Sequence, residues 1–174
     1  MIKRFYIIPF FITCIWCLSC EKDDICSETT ATTPHLIIRF YDINNPSQPK
    51  SVRQLSVIGN GDNLEPVITN RSTDSIALPL KFNEENIYTV TEFELKKNSD
   101  YDTDSNSGTN SDSDFIKITT LPIFKYVSRA CGFKSIYTES KISIIEDSSN
   151  WIFNYEIVND HIEYENKAHI KIYH

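Results

Sequence analysis

The chain has 174 residues, 24 acids against 17 bases for a formal charge of −7, and 40% hydrophobic residues. That acidic balance excludes the basic face a nucleic acid requires, and it excludes electrostatic docking to anionic lipid. The apolar share is enough for one core, and no long stretch keeps the 3.6-residue period of a helix, which excludes a helical bundle.

The first four residues carry Lys3 and Arg4, and Phe5 to Leu18 is then an uncharged, almost wholly apolar run. It falls short of the ~20 residues of a permanent membrane-spanning helix. A basic start, a short apolar core and the small Ser19 predict a signal peptide over residues 1–19. Leu18-Ser19-Cys20 resembles a bacterial lipobox, with Cys17 where leucine is commoner. The resemblance implies that the Cys20 thiol is acylated and becomes the first mature residue. The alternative is an ordinary signal peptide with Cys20 a plain thiol, but no Ala-x-Ala site offers a rival cut. Each buried methylene contributes ~0.8 kcal/mol, so two or more acyl chains hold a protein firmly to a membrane without spanning it.

Cys20-Glu21-Lys22-Asp23-Asp24 resembles the export tag of surface lipoproteins in the Bacteroidota, with Lys22, Asp23 and Asp24 as the tag. That resemblance implies a place on the outer membrane, facing the cell exterior; the same residues would in any case make a solvated tether over 20–33. All 24 acids but only 15 of the 17 bases follow Cys20, so the mature chain carries −9.

Cys14 and Cys17 leave with the signal peptide and Cys20 takes the lipid, so Cys26 and Cys131 remain. An even pair in an oxidising compartment predicts a disulfide. It would fasten the end of the tether to the folded body.

From Pro34 onward apolar residues recur at every second position. Leu36, Ile38 and Phe40 share one face of a first strand. Ile76, Leu78 and Leu80 follow, with Pro79 marking an edge or a strand end. Thr89, Thr91, Phe93 and Leu95 continue the pattern, then Ile116 with Ile118 and Ile142 with Ile144. Trp151, Phe153, Tyr155 and Ile157 make the heaviest apolar face, and Ile170 with Ile172 closes the chain. Turn clusters such as Asn44-Asn45-Pro46, Gly59-Asn60-Gly61-Asp62, Asp147-Ser148-Ser149-Asn150 and Asn159-Asp160 lie between them. Seven to nine short strands over 34–174 predict a single all-β domain, an antiparallel β-sandwich of immunoglobulin-like type, with a small closed barrel as the alternative. Lys96 to Asp114 is serine- and aspartate-rich and lacks aliphatic residues, which predicts a long disordered hairpin loop.

Few residues invite chemistry. Asp100, Asp102, Asp104 and Asn106 alternate as calcium ligands do, yet the glycine and glutamate positions of a calcium loop hold Ser105 and Ser111, or Ser107 and Ser113. His35, His161, His169 and His174 lack the thiolate or close second imidazole of a metal site, so neither metal nor cofactor is expected. There is no nucleophile elbow, and Gly59-Asn60-Gly61 reads as a turn. Acidic pairs such as Glu84-Glu85 would serve a glycosidase only if the fold set two carboxylates at the right separation. Asp74-Ser75-Ile76 resembles an acceptor for O-linked glycans on exported proteins of the Bacteroidota, with Ser75 as the acceptor. The tyrosines of the body suit strand packing first and a binding surface second.

The stretches 33–42 (TPHLIIRFYD), 72–80 (STDSIALPL), 126–134 (YVSRACGFK) and 169–174 (HIKIYH), together with Cys20, Cys26 and Cys131, are similar to a family of Bacteroidota lipoproteins described only as a domain of unknown function. The resemblance implies a lipid-anchored single β domain on the outer membrane and brings no activity, because the family has none assigned; the aspartate-serine loop is longer than that family implies. The expected role is non-enzymatic: binding a partner such as an outer-membrane protein, or assisting envelope assembly. A carbohydrate-binding module is the alternative, with exposed aromatics as a stacking platform, and a glycan hydrolase comes after it.

Overall fold

The computed structural model describes residues 25–30, 32–59, 66–99, 111–145 and 148–174. The signal peptide, Cys20, the tag residues Lys22, Asp23 and Asp24, the Gly61-Asp62 turn and the aspartates between Asp100 and Asp104 lie outside them. The chain forms two compact units, a larger one of residues 31–125 and 134–174 and a smaller one to which 25–30 and 126–133 belong.

Ten strands occur among the described residues: β1 (Leu36–Asp42), β2 (Asn45–Pro49), β3 (Val52–Gly59), β4 (Pro66–Thr73), β5 (Ser75–Leu78), β6 (Thr89–Lys97), β7 (Asp112–Ser128), β8 (Gly132–Ile145), β9 (Asn154–Ile157) and β10 (Ile170–Tyr173). One sheet runs β2-β1-β10-β9 with β5 also on β1, and the other runs β4-β3-β6-β7-β8. The expected all-β sandwich is therefore the fold, with two sheets in place of a closed barrel. Period-two alternation builds its interior: Leu36, Ile38 and Phe40 from β1, Phe93 and Leu95 from β6, Ile116 and Ile118 from β7 and Ile170 and Ile172 from β10 form one buried cluster. β1 lies parallel to β10, from Ile38↔Ile170 to Tyr41↔Tyr173, whereas β1 with β2 and β5, β10 with β9, β3 with β4 and β6, and β6 with β7 pair antiparallel.

Three segments depart from the sequence reading. The first is β3, whose buried residues Val52, Leu55, Ser56 and Val57 do not alternate. Gln54 has φ 47° and the pairing with β4 shifts register between Val52 and Leu55, so a bulge breaks the period.

The second is the polar segment that begins at Lys96. The β6–β7 ladder runs on through Lys96↔Ser113 to Lys97↔Asp112, so the strands reach further into it than its composition predicts. Lys97 and Asp112 pair at 3.2 Å, and Ser113 donates to Glu94 at 2.7 Å. Asp114 is fully buried, and its Oδ2 accepts the Ile152 N–H at 2.7 Å. Burial raises its pKa, while the bonds from the Ile152 and Trp151 amides act against the shift. An acidic residue thus shapes the turn that sends Trp151 into the core.

The third is the heaviest apolar face. Trp151 is buried, but Phe153, Tyr155 and Ile157 are 65%, 37% and 38% exposed. Tyr155 pairs with Ile172 and Ile157 with Ile170, and directly paired residues share a face. They continue the core-facing side of the sheet, but β9 ends the sheet order and its side chains stay uncovered. Periodicity reports a face; it does not report what covers it.

Candidate interaction surfaces

The smaller unit is built around a disulfide. Cys26 and Cys131 are bonded, with Cα atoms 4.8 Å apart and 105 residues between them in sequence. Cys131 lies in the turn between β7 and β8, where its N–H donates to Ser128 Oγ at 3.0 Å. Gly132 supplies the φ of +68° that ends this turn and starts β8. On the other side Thr30 N–H closes a turn onto the Ser27 carbonyl at 2.9 Å. Tyr126 and Phe133 flank the turn and meet edge to face with centroids 5.4 Å apart. Ile25, Tyr126 and Phe133 are 85%, 56% and 67% exposed. The sequence predicts the cysteine pair; it does not single out these apolar side chains, whose signal is an aromatic on each flank of the Cys131 turn.

In the larger unit, β1, β9 and β10 bring Tyr41, Tyr173, Lys171, Asn154 and Glu156 together. Tyr41 and Tyr173 lie 6.0 Å apart, and the Lys171 ammonium sits 5.6 Å over the Tyr41 ring. Tyr173 donates to Glu156 Oε2 at 2.8 Å and Lys171 does so at 3.2 Å. Those two bonds hold the Glu156 carboxyl below the usual carboxylate range. A groove of ≈ 380 Å³ is lined by Ile43, Pro46, Asn154, Tyr155, Glu156 and Tyr173. Among the described lining residues its carboxylate is an ionised acceptor bonded to the buried Tyr173, with Tyr155 37% exposed in the same lining, a set suited to hydrogen-bonding a polar ring.

Ser75 is exposed at the start of β5. Its N–H donates to Thr73 Oγ1 at 3.2 Å, and Thr73 donates to the Ser75 carbonyl at 2.8 Å. Beside it, Ile37, Arg39, Glu165, Asn166, Lys167 and Ala168 complete a cleft of ≈ 210 Å³. Glu165 accepts from the His35 N–H at 2.7 Å, which lowers its pKa.

No group of three or more metal-ligating side chains occurs among the described residues. His169 is 2% exposed, and its Nδ1 accepts the Ile37 N–H at 2.9 Å while the Tyr164 carbonyl takes its other hydrogen bond. His174 packs edge-on against Phe40 and Trp151. Burial lowers the pKa of both. A lowered histidine value means that the unfolded chain binds protons the folded chain refuses. Stability is therefore full above the ordinary value of 6.5 and is lost as pH falls from there through the depressed folded values. Urea unfolding should show a falling midpoint between about pH 7.5 and about pH 5. His169→Asn, which keeps an acceptor for Ile37 and does not titrate, should shrink that slope; an unchanged slope would remove His169 from the explanation.

One family model matches, over residues 54–174, and its description is a family of unknown function (DUF6452). No curated protein and no solved structure matches the chain.

Proposed function

Since the chain belongs to the family of unknown function DUF6452, which brings no activity with it, we propose a function from the chain's own residues. It is a lipoprotein held by acylated Cys20 on the outer face of the outer membrane of a bacterium of the Bacteroidota type, and its β-sandwich is a non-enzymatic binding or envelope-assembly accessory. Its partner is an outer-membrane protein.

The Cys26–Cys131 disulfide carries this reading. Disulfides persist in oxidising compartments, and this one starts six residues after the cysteine of the lipobox-like segment. A basic, apolar and small-residue leader supports export, and Lys22-Asp23-Asp24 supports the outward face. The −9 charge of the mature chain supports attachment through lipid in place of attraction to anionic headgroups.

Cys20→Ser should move the protein from the membrane fraction to the soluble fraction with its fold intact by circular dichroism. A variant that stays in the membrane fraction would contradict the anchor. On intact cells, an impermeant amine reagent should label the wild-type lysines, and labelling only after lysis would place the protein on the inner face.

One observation favours a second reading. The groove of ≈ 380 Å³ has Tyr155, Asn154 and Glu156 in its lining, the mixture of an aromatic and polar groups that a glycan uses. In that reading the domain is a carbohydrate-binding module, and Tyr155→Ala abolishes retention on the glycan it recognises.

A further inference from the structure

We infer that the Cys131 turn, with Ile25, Tyr126 and Phe133, is a membrane-contact surface seated in the headgroup region of the bilayer that carries the anchor. The inference rests on acylation of Cys20. Five residues, Glu21 to Ile25, separate Cys20 from Cys26. At ~3.3–3.6 Å per residue the tether reaches about 20 Å at full extension. The disulfide then sets Cys131 4.8 Å from Cys26, measured between Cα atoms. The lipid and the turn are thus leashed together by covalent bonds, whatever the remainder of the chain does.

What the leash brings to the bilayer suits it. Ile25, Tyr126 and Phe133 are largely exposed, and the two rings pack edge to face. Tyr126, a large aromatic with one polar end, is of the kind that settles at membrane–water interfaces, and the exposed Ile25 and Phe133 gain by leaving water. Charge does not carry the contact: from Glu21 onward the smaller unit holds the acids Glu21, Asp23, Asp24 and Glu28 against the bases Lys22 and Arg129, so what it gains at the bilayer comes from its apolar side chains.

The test uses the lipidated full-length mature chain in vesicles of phosphatidylethanolamine and phosphatidylglycerol with brominated acyl chains. The wild type has Trp151 as its indole, buried and donating to the Leu95 carbonyl, as the background. Phe133→Trp should add emission that is blue-shifted, lost to brominated lipid and retained in vesicles of the same lipids without bromine. Cys26→Ser with Cys131→Ser in the Phe133→Trp background should cut the lipid quenching, because the tether no longer holds the turn down. Flotation with the vesicles and the acyl mass on Cys20 are measured on the same sample, so a failed anchor is told from a failed contact. A floating, acylated Phe133→Trp protein whose added emission is quenched by iodide and spared by brominated lipid overturns the proposal. Shielding in native membranes without lipid quenching in vesicles overturns it too, and assigns the turn to a protein partner.

Discussion

Trp151→Ala should lower the unfolding free energy by about 3–5 kcal/mol, the range for removing a large aromatic from a packed core. Trp151 is 2% exposed and packs 6.3 Å from Phe40 and 5.7 Å from His174, between ring centroids. Its Nε1–H donates to the Leu95 carbonyl at 3.2 Å, and the Lys97 ammonium lies 5.5 Å over the ring. Alanine would leave a cavity against Phe40 and take a buried partner from Leu95. Trp151→Phe should cost less, since a ring still fills most of the space. Urea titration followed by far-ultraviolet circular dichroism reads the change without the indole signal. Phe153→Ala, two residues on, should stay within about 0.5 kcal/mol of wild type as a surface substitution. Equal losses at 151 and 153 would contradict the burial described for this segment.

Cys26→Ser with Cys131→Ser should cost about 2–4 kcal/mol. The bridge spans 105 residues, and the chain-entropy treatment gives ~4.7 kcal/mol for a loop near that size. The measured loss should fall below that ceiling, because the freed 25–30 segment also regains motion in the folded state. Hydrogen exchange should place the effect: amides of 126–133 should exchange faster, while the β1–β10 ladder stays protected relative to global stability. A variant as stable as the wild type, with unchanged exchange at the turn, would show that the bridge restrains nothing.

Much of this fold is legible in the sequence because the buried faces of β1, β5, β6 and β7 alternate cleanly, as Leu36-Ile38-Phe40 and Thr89-Thr91-Phe93-Leu95 illustrate. The bulge at Gln54 hides β3, because it sets Leu55, Ser56 and Val57 side by side in the interior. β9 misleads for a different reason. Tyr155 and Ile157 do share the core-facing side, but coverage depends on the opposite sheet, and no local pattern records that. Asp114 shows the limit of composition: one aspartate in a polar run is fully buried because strand pairing carries it inside. The Cys26–Cys131 pair follows from counting thiols, whereas its place at the β7–β8 turn, beside Tyr126 and Phe133, depends on the topology.

The account turns on how the amino-terminal end is fastened, and the mass of the mature protein extracted from membranes tests that most directly. The predicted result is a chain that begins at Cys20, carries acyl groups there, and changes on reduction only by the two hydrogens gained at Cys26 and Cys131. An unacylated chain, a start at another residue, or free thiols at Cys26 and Cys131 before reduction would contradict it.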